Sequence, residues 1–192
     1  ARMGGLTAMA LLLSACAGTG GSPDTAGSAR SADTPRAAPS QRSAPPAGTV
    51  NWNMLRTDLS TALRDVPGAE VSPAPEGLQL RLPATDGFAF GTAQPHASLT
   101  RALDTVIAPL AAYPRVAIHV VGHTDSVGSE MYNLKLSIAR AEAVMEYLRS
   151  HGLAFERLSA DGKGESEPIA DNANEATRAR NRRVELYLRA MP

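Results

Sequence analysis

From Ala17 to Thr49 the chain carries no aromatic and no large aliphatic side chain. These 33 residues, AGTGGSPDTAGSARSADTPRAAPSQRSAPPAGT, are mostly Ala, Gly, Ser, Thr and Pro. A stretch with so little apolar surface cannot offset the entropy of ordering its backbone. It reads as a disordered linker, and any hydrophobic core has to be assembled from residues 50–192. Fully extended, the linker reaches at most about 110–120 Å. As a coil its ends lie about 30 Å apart, somewhat more with proline stiffening.

The segment before the linker has a different character. ARMGGLTAMALLLSAC places Arg2 ahead of an apolar run from Leu6 to Leu13, with Ser14 and Ala15 just before Cys16. This is the layout of an export signal, and the run is too short to span a bilayer. Leu13-Ser14-Ala15-Cys16 resembles the lipobox of bacterial lipoproteins. The resemblance implies cleavage before Cys16, lipidation of that cysteine and, because Ala17 is not aspartate, sorting to the outer membrane. The expected division is a signal peptide over 1–15, a lipidated cysteine and linker over 16–49, a helix and strand extension over 50–76 and a globular domain over 77–192. The chain opens on Ala1, so the reading frame is expected to start upstream.

Within the ordered part, Trp52, Leu55, Leu59, Leu63 and Val66 recur at helical spacing, and Pro67-Gly68 closes that helix. Leu78, Leu80 and Leu82 alternate with Gln79 and Arg81, as in a strand with one buried face. Leu99, Leu103, Ile107 and Leu110 predict a second helix, and Val116, Ile118 and Val120 a strand ending at Gly122. Leu134, Ile138, Ala141, Met145 and Leu148 predict a long third helix, closed by Gly152. A short strand near Leu158 and a last one through Val184, Leu186 and Leu188 complete the pattern. Strands alternating with helices require crossover connections onto one sheet. The fold class is an α/β (α+β) sandwich, a mixed sheet packed against helices.

Nineteen basic residues balance nineteen acidic ones, which excludes a nucleic-acid binder driven by bulk charge. Cys16 is the single cysteine, so no intramolecular disulfide and no cysteine metal site can form. His119 and His123 are four apart, but on a strand that spacing is roughly 13 Å, too wide for one metal ion. No metal or cofactor is expected. Asp161, Glu165 and Glu167 lie in a turn-rich stretch and read as solvated charge rather than a glycan-cleaving pair.

The most informative segment is GHTDSVGSEMYNLKLSIARA, Gly122 to Ala141. Asp125 follows a strand, at the sheet edge where α/β folds usually bind ligands. Asn133, Ser137 and Arg140 are spaced four and three apart, on one helix face bordering the core. A carboxylate accepts from an ammonium, and a guanidinium grips a carboxylate bidentately. Together they suit the free end of an amino acid. On spacing alone the stronger alternative is structural: Asp125 caps the helix and Arg140 pairs with it or another acid.

Gly122-His123-Thr124-Asp125, Tyr132-Asn133, Leu136-Ser137, Arg140-Ala141 and Asn181-Arg182-Arg183-Val184 together resemble the OmpA-like peptidoglycan-binding domain, the family of the OmpA C-terminal domain, Pal and MotB. Phe88 and Phe90, Gly162 to Glu165 and Pro168 to Asn172 add to the resemblance, which runs over about residues 77 to 190. It implies a βαβαβ-type fold and a non-catalytic module that holds the diaminopimelate of peptidoglycan stem peptides. Asp125 would take the ammonium and Arg140 the carboxylate, with Asn133 and Arg182 lining the pocket and Asp86 and Phe88 as further candidates. Thr177 stands where the family commonly has glycine, which bears on the local loop shape. The implied role is to tie the outer membrane to the cell wall from the periplasm. The alternative is a wall-addressed regulator that recruits another envelope protein, with the helix over 51–66 as the recruiting element.

Overall fold

The computed structural model describes residues 49–89 and 91–192. The expected signal peptide, Cys16, the linker up to residue 48 and Phe90 lie outside the described residues.

Helix α1 (Trp52–Ala62) starts where the Asn51 side chain accepts the Met54 N–H at 3.0 Å. A hairpin follows, strand β1 (Glu70–Ala74) and strand β2 (Gly77–Pro83). Helix α2 (Ala97–Ala111) then leads to strand β3 (Val116–His123). Helix α3 (Glu130–Ser150) and a 3-10 turn (Phe155–Arg157) lead to strand β4 (Leu158–Gly164). A short helix α4 (Glu175–Asn181) precedes strand β5 (Arg183–Ala190).

The five strands form one sheet in the order β1-β2-β5-β3-β4. Only β3 and β4 pair in parallel; the other neighbours are antiparallel. The mixed sheet follows from two helical crossovers and one late insertion. β2-α2-β3 leaves a gap one strand wide, and β5 fills it. Strand alternation sends Leu80, Ile118, Val120 and Leu186 to the same side, where they join Leu55, Leu59, Leu103 and Leu148 in the core. The opposite side carries Gln79, Arg81, His119, Glu185 and Tyr187. The helices therefore cover one face only.

Two expectations need correction. The first helix stops at Ala62 rather than Val66, and Leu63 continues its buried stripe from a turn. That stripe is buried in the core, which weakens the reading of α1 as a recruiting element. The second concerns α3. Leu134, placed on the apolar stripe by spacing, is 37% exposed, while Asn133, Ser137 and Arg140 are buried. The helix is amphipathic in the usual sense only in its second half, through Ala141, Val144 and Leu148.

The reason is a close approach of backbones. A Cβ on Gly122 would lie 2.2 Å from the Ser137 carbonyl oxygen, and one on Gly162 would lie 2.4 Å from both the Ile138 nitrogen and Ser137 Oγ. One on Gly164 would lie 3.0 Å from the Leu134 nitrogen. Three glycines thus let α3 rest on β3 and β4 without a layer of side chains between them. There is no apolar slot for Leu134 to fill. Ser137 instead uses its hydroxyl to accept the Gly164 N–H at 2.8 Å.

Replacing Gly122 or Gly162 by Ala should therefore cost at least about 1–3 kcal/mol, the scale of overpacking a tight interface. Urea unfolding measures it; a midpoint unchanged from the parent would mean that α3 can lift off the sheet freely.

Candidate functional site: a charged cleft at the strand ends

The register of β3 on β4 slips between Gly122 and His123, so that Gly122 pairs with Gly162 but His123 with Gly164. Thr124 then donates its N–H to the Gly164 carbonyl at 2.8 Å. This turns the chain out of the sheet and delivers Asp125 to the mouth of a cleft of ≈ 590 Å³. The walls come from the loop after β2, the start of α3, and α4 with its exit at Arg182.

Asp125 and Arg140 both line this cleft, 9% and 8% exposed, and they do not hydrogen-bond to each other. Asp125 Oδ2 is held by Arg182 Nη1 at 2.6 Å, and Oδ1 accepts the Val127 N–H at 3.0 Å. The structural alternative for the pair therefore fails in both halves. Ser129, not Asp125, caps α3 by accepting the Tyr132 N–H at 3.3 Å. Arg140 donates from Nε to the Thr92 carbonyl at 3.0 Å, and its guanidinium carbon sits 4.9 Å from the centre of the Phe88 ring. Its two terminal nitrogens make no hydrogen bond among the described residues.

The remaining candidates divide by role. Asn133 is fully buried and braces the loop, with Nδ2 3.2 Å from the Asp125 carbonyl and 2.5 Å from Glu165 Oε2. Arg182 bridges Asp125 to Glu175 on α4. Phe88 is buried as the platform under Arg140, pinned by a bridge to Pro95. Asp86 lies on the exposed rim, where its carbonyl accepts from the Ser98 hydroxyl at 2.5 Å. All six candidates named from the sequence meet at this one cleft.

The electrostatics set the two guanidiniums apart. Burial lowers Arg140 below its ordinary value, with Asp125 and Tyr132 opposing. Burial also lowers Arg182, but its bonds to Asp125 and Glu175 outweigh it and raise the group. Arg182 is thus a satisfied cation. Arg140 is a desolvated one with donors to spare.

Several contributors were not named as site residues from the sequence. Thr92, Glu165 and Glu175 reach the site from distant segments, and Glu165 is a bonded partner of Asn133 rather than solvated charge. Thr177, the departure from the family pattern, sits in the first turn of α4. There it forms a capping box with Asn174, and so the local shape is that of a capped helix start.

Beneath the cleft lies a second polar cluster. Glu185 Oε1 accepts from Arg183 Nε at 2.8 Å and from Arg81 Nε at 3.2 Å, and Oε2 accepts from the Tyr187 hydroxyl at 2.7 Å. His123 Nε2 is 3.5 Å from Oε2, long for a hydrogen bond. Burial pushes the Glu185 carboxyl up, but His123, Arg183 and Tyr187 outweigh it and hold the group well below the ordinary glutamate range. Burial and the Glu185 carboxylate push Tyr187 up to about 12.

Comparison with known proteins places this architecture. The family model described as OmpA family matches residues 87–182, half of the chain. The chain belongs to the OmpA family. Outer membrane porin F of Pseudomonas fluorescens is 52% identical over 81 residues, 42% of this chain and 25% of that protein. The peptidoglycan-binding protein ArfA of Mycobacterium tuberculosis (strain ATCC 25618 / H37Rv) is 37% identical over 126 residues, 64% of this chain and 39% of that one. Among solved structures, the cell wall anchor of the T6SS from Pseudomonas aeruginosa superposes with a TM-score of 0.61 at 28% identity, covering 71% of this chain and 99% of that chain. The chain spans well under half the length of both sequence relatives, so the OmpA-family domain is the part held in common.

Because the folded pKa of Glu185 is depressed, its contribution to stability is present in full above the unfolded value of about 4.3. It is lost as the pH falls below that value and through the folded one. Glu185→Gln should cost about 3 kcal/mol or more at pH 7, the scale of breaking a buried pair from one side. The gap from the parent should narrow on acidification. Denaturant melts at pH 7 and below pH 4 check it; a gap that does not change with pH would show that Glu185 acts by shape alone.

Proposed function

We propose that the cleft binds peptidoglycan without turnover, by holding the free amino-acid end of the diaminopimelate in the stem peptide. The carrying observation is Arg140: a desolvated guanidinium, fixed by Phe88 and Thr92, with both terminal nitrogens uncommitted among the described residues, in a cleft that also presents a carboxylate. Such a group is poised for the two parallel bonds of a carboxylate. Asp125 supplies the complementary acceptor. Its oxygens offer about four lone-pair sites, of which Arg182 and Val127 take two. An ammonium can join without evicting either.

Two relatives support this reading by what they are called, a peptidoglycan-binding protein and a cell wall anchor. The lipobox-like Cys16 extends it. A lipid at that residue would anchor the chain in the outer membrane, and residues 17–49 would span the gap to the wall. A tethered domain facing a dense array of identical ligands works at modest affinity per site, because rebinding is frequent. Replacing Cys16 by Ala should then move the chain from the membrane fraction to the soluble one.

The direct test is co-sedimentation of the full chain with sacculi. The parent should pellet with diaminopimelate walls and not with walls carrying lysine, which lacks the second carboxylate. Asp125→Ala and Arg140→Ala should each weaken binding at least about tenfold, since hydrogen bonds to charged groups contribute about 1.5–3 kcal/mol. A parent that stays in the supernatant, or variants that pellet as it does, would overturn the reading.

A further inference from the structure

The least satisfied side chains beneath the cleft belong to two consecutive residues. His123 is 2% exposed and Thr124 4%. Among the described residues, neither ring nitrogen of His123 nor the Thr124 hydroxyl has a hydrogen-bond partner. Buried polar side chains are nearly always bonded, so two such residues in a row call for an explanation. The next residue is Asp125, which lines the cleft.

His123 faces an acid. Its Nε2 is 3.5 Å from Glu185 Oε2. Although burial pushes that carboxyl up, its donors outweigh burial and keep it ionised. Oε2 accepts one bond, from the Tyr187 hydroxyl, and so keeps a lone pair to spare. A neutral imidazole carries one N–H, whereas an imidazolium carries two and a positive charge. With the second proton, a shift of under about 1 Å brings Nε2 to charge-assisted hydrogen-bond distance. The other charged groups on the surrounding elements are already engaged. Arg81 of β2 and Arg183 of β5 donate to Glu185, and Glu165 accepts from Asn133. Asp161 of β4 and Glu167 in the loop after it lie 4.0 and 3.8 Å from Lys163.

The same cluster reaches both halves of the cleft. His123 pairs with Arg183 across β3 and β5, and the register on β4 slips at His123. Asp125 comes two residues after His123. Arg182, which holds Asp125 Oδ2 at 2.6 Å, comes directly before Arg183. A pull of His123 toward Glu185 therefore tightens the strand pair from which both Asp125 and Arg182 emerge.

We infer that His123 is a positioning residue whose protonation sets the affinity of the cleft: the imidazolium closes on Glu185 and fixes the turn that presents Asp125. This rests on the proposed binding of diaminopimelate. The sign follows from the charges. Acidification through the histidine range adds a bond between β3 and β5, so the ligand is held more tightly in mild acid than at pH 8. Histidine is the side chain whose charge ordinarily changes between pH 5 and 8. His119 is bonded to Ser159 and His151 stacks on Tyr147, which leaves His96, exposed on the cleft wall, as the competing source of such an effect.

The experiment titrates the full chain with the diaminopimelate tripeptide, its amino terminus acetylated, at pH 5.5 and pH 8. The parent should bind about tenfold more tightly at pH 5.5, the scale of one hydrogen bond to a charged group. His123→Gln keeps an amide donor but takes no proton, and should bind equally at both pH values. His96→Gln should keep the parent's ratio. Equal affinity of the parent at both pH values overturns the inference and leaves the cleft reading intact. A ratio that persists in His123→Gln, or disappears in His96→Gln, overturns it as well. A second readout needs only the parent and holds even where His123→Gln fails to fold. Linkage is reciprocal, so saturating tripeptide should raise the midpoint of the His123 ring titration, followed by NMR, by about one pH unit. A midpoint that does not move overturns the inference. Binding at neither pH removes the cleft reading and the inference together.

Discussion

The approach of α3 to β3 and β4 is the constraint on which the site depends. Gly122, Gly162 and Gly164 bring a helix backbone directly onto strand backbones. At that distance the first turns of α3 cannot offer the core a layer of leucines. They offer small and polar groups that hydrogen-bond across the contact: Ser137 to Gly164, and Asn133 to the Asp125 carbonyl. The buried polar face of α3 is therefore a consequence of packing distance, and it places Arg140 beside the strand ends. A wider interface would fill with apolar side chains and leave no route for a desolvated guanidinium to face the cleft.

The charges above and below this contact serve different ends. Under the sheet, Glu185 is shared by Arg81 of β2 and by Arg183 and Tyr187 of β5, and Arg183 also donates to the Glu167 carbonyl, which ties two strands and the loop after β4 into one unit. Among the described residues, the fully buried side-chain nitrogens and oxygens of this cluster are hydrogen-bonded apart from the imidazole of His123. In the cleft, Arg182 is likewise satisfied on both sides by Asp125 and Glu175. Arg140 stands out because, among the described residues, only its Nε is used. Buried cations are normally paired or hydrogen-bonded throughout, which sets Arg140 apart from Arg182 among the described residues.

Much of this was legible in the sequence, for identifiable reasons. α2 was readable because Leu99, Leu103 and Leu110 pack on a sheet through ordinary side-chain contact, which imposes the helical period. The positions of Asp125 at a strand end and Arg140 on a helix face were readable from the same periodicities, and their grouping as a site came from the family resemblance. Their bonding partners were not: Arg182 and Thr92 lie 57 and 48 residues away and meet them only through the fold. α4 escaped notice because Glu175–Asn181 has no apolar stripe and is held by a capping box and ion pairs instead. Leu134 was misplaced because spacing encodes which face a residue occupies and not how near the opposing backbone will come.

The strand order carries a further consequence. β5 is the last strand in the chain, yet it lies between β2 and β3 and pairs with both. Before residues 183–190 are available, the sheet exists as two separate pieces, a β1–β2 hairpin and a β3–β4 pair. A polypeptide that emerges amino end first must hold these halves apart, or keep them soluble, until its final segment arrives. Pairing across such long sequence separations is slow. Arg182 sits immediately before that closing strand, so the acidic side of the cleft acquires its counter-ion only at the step that completes the sheet.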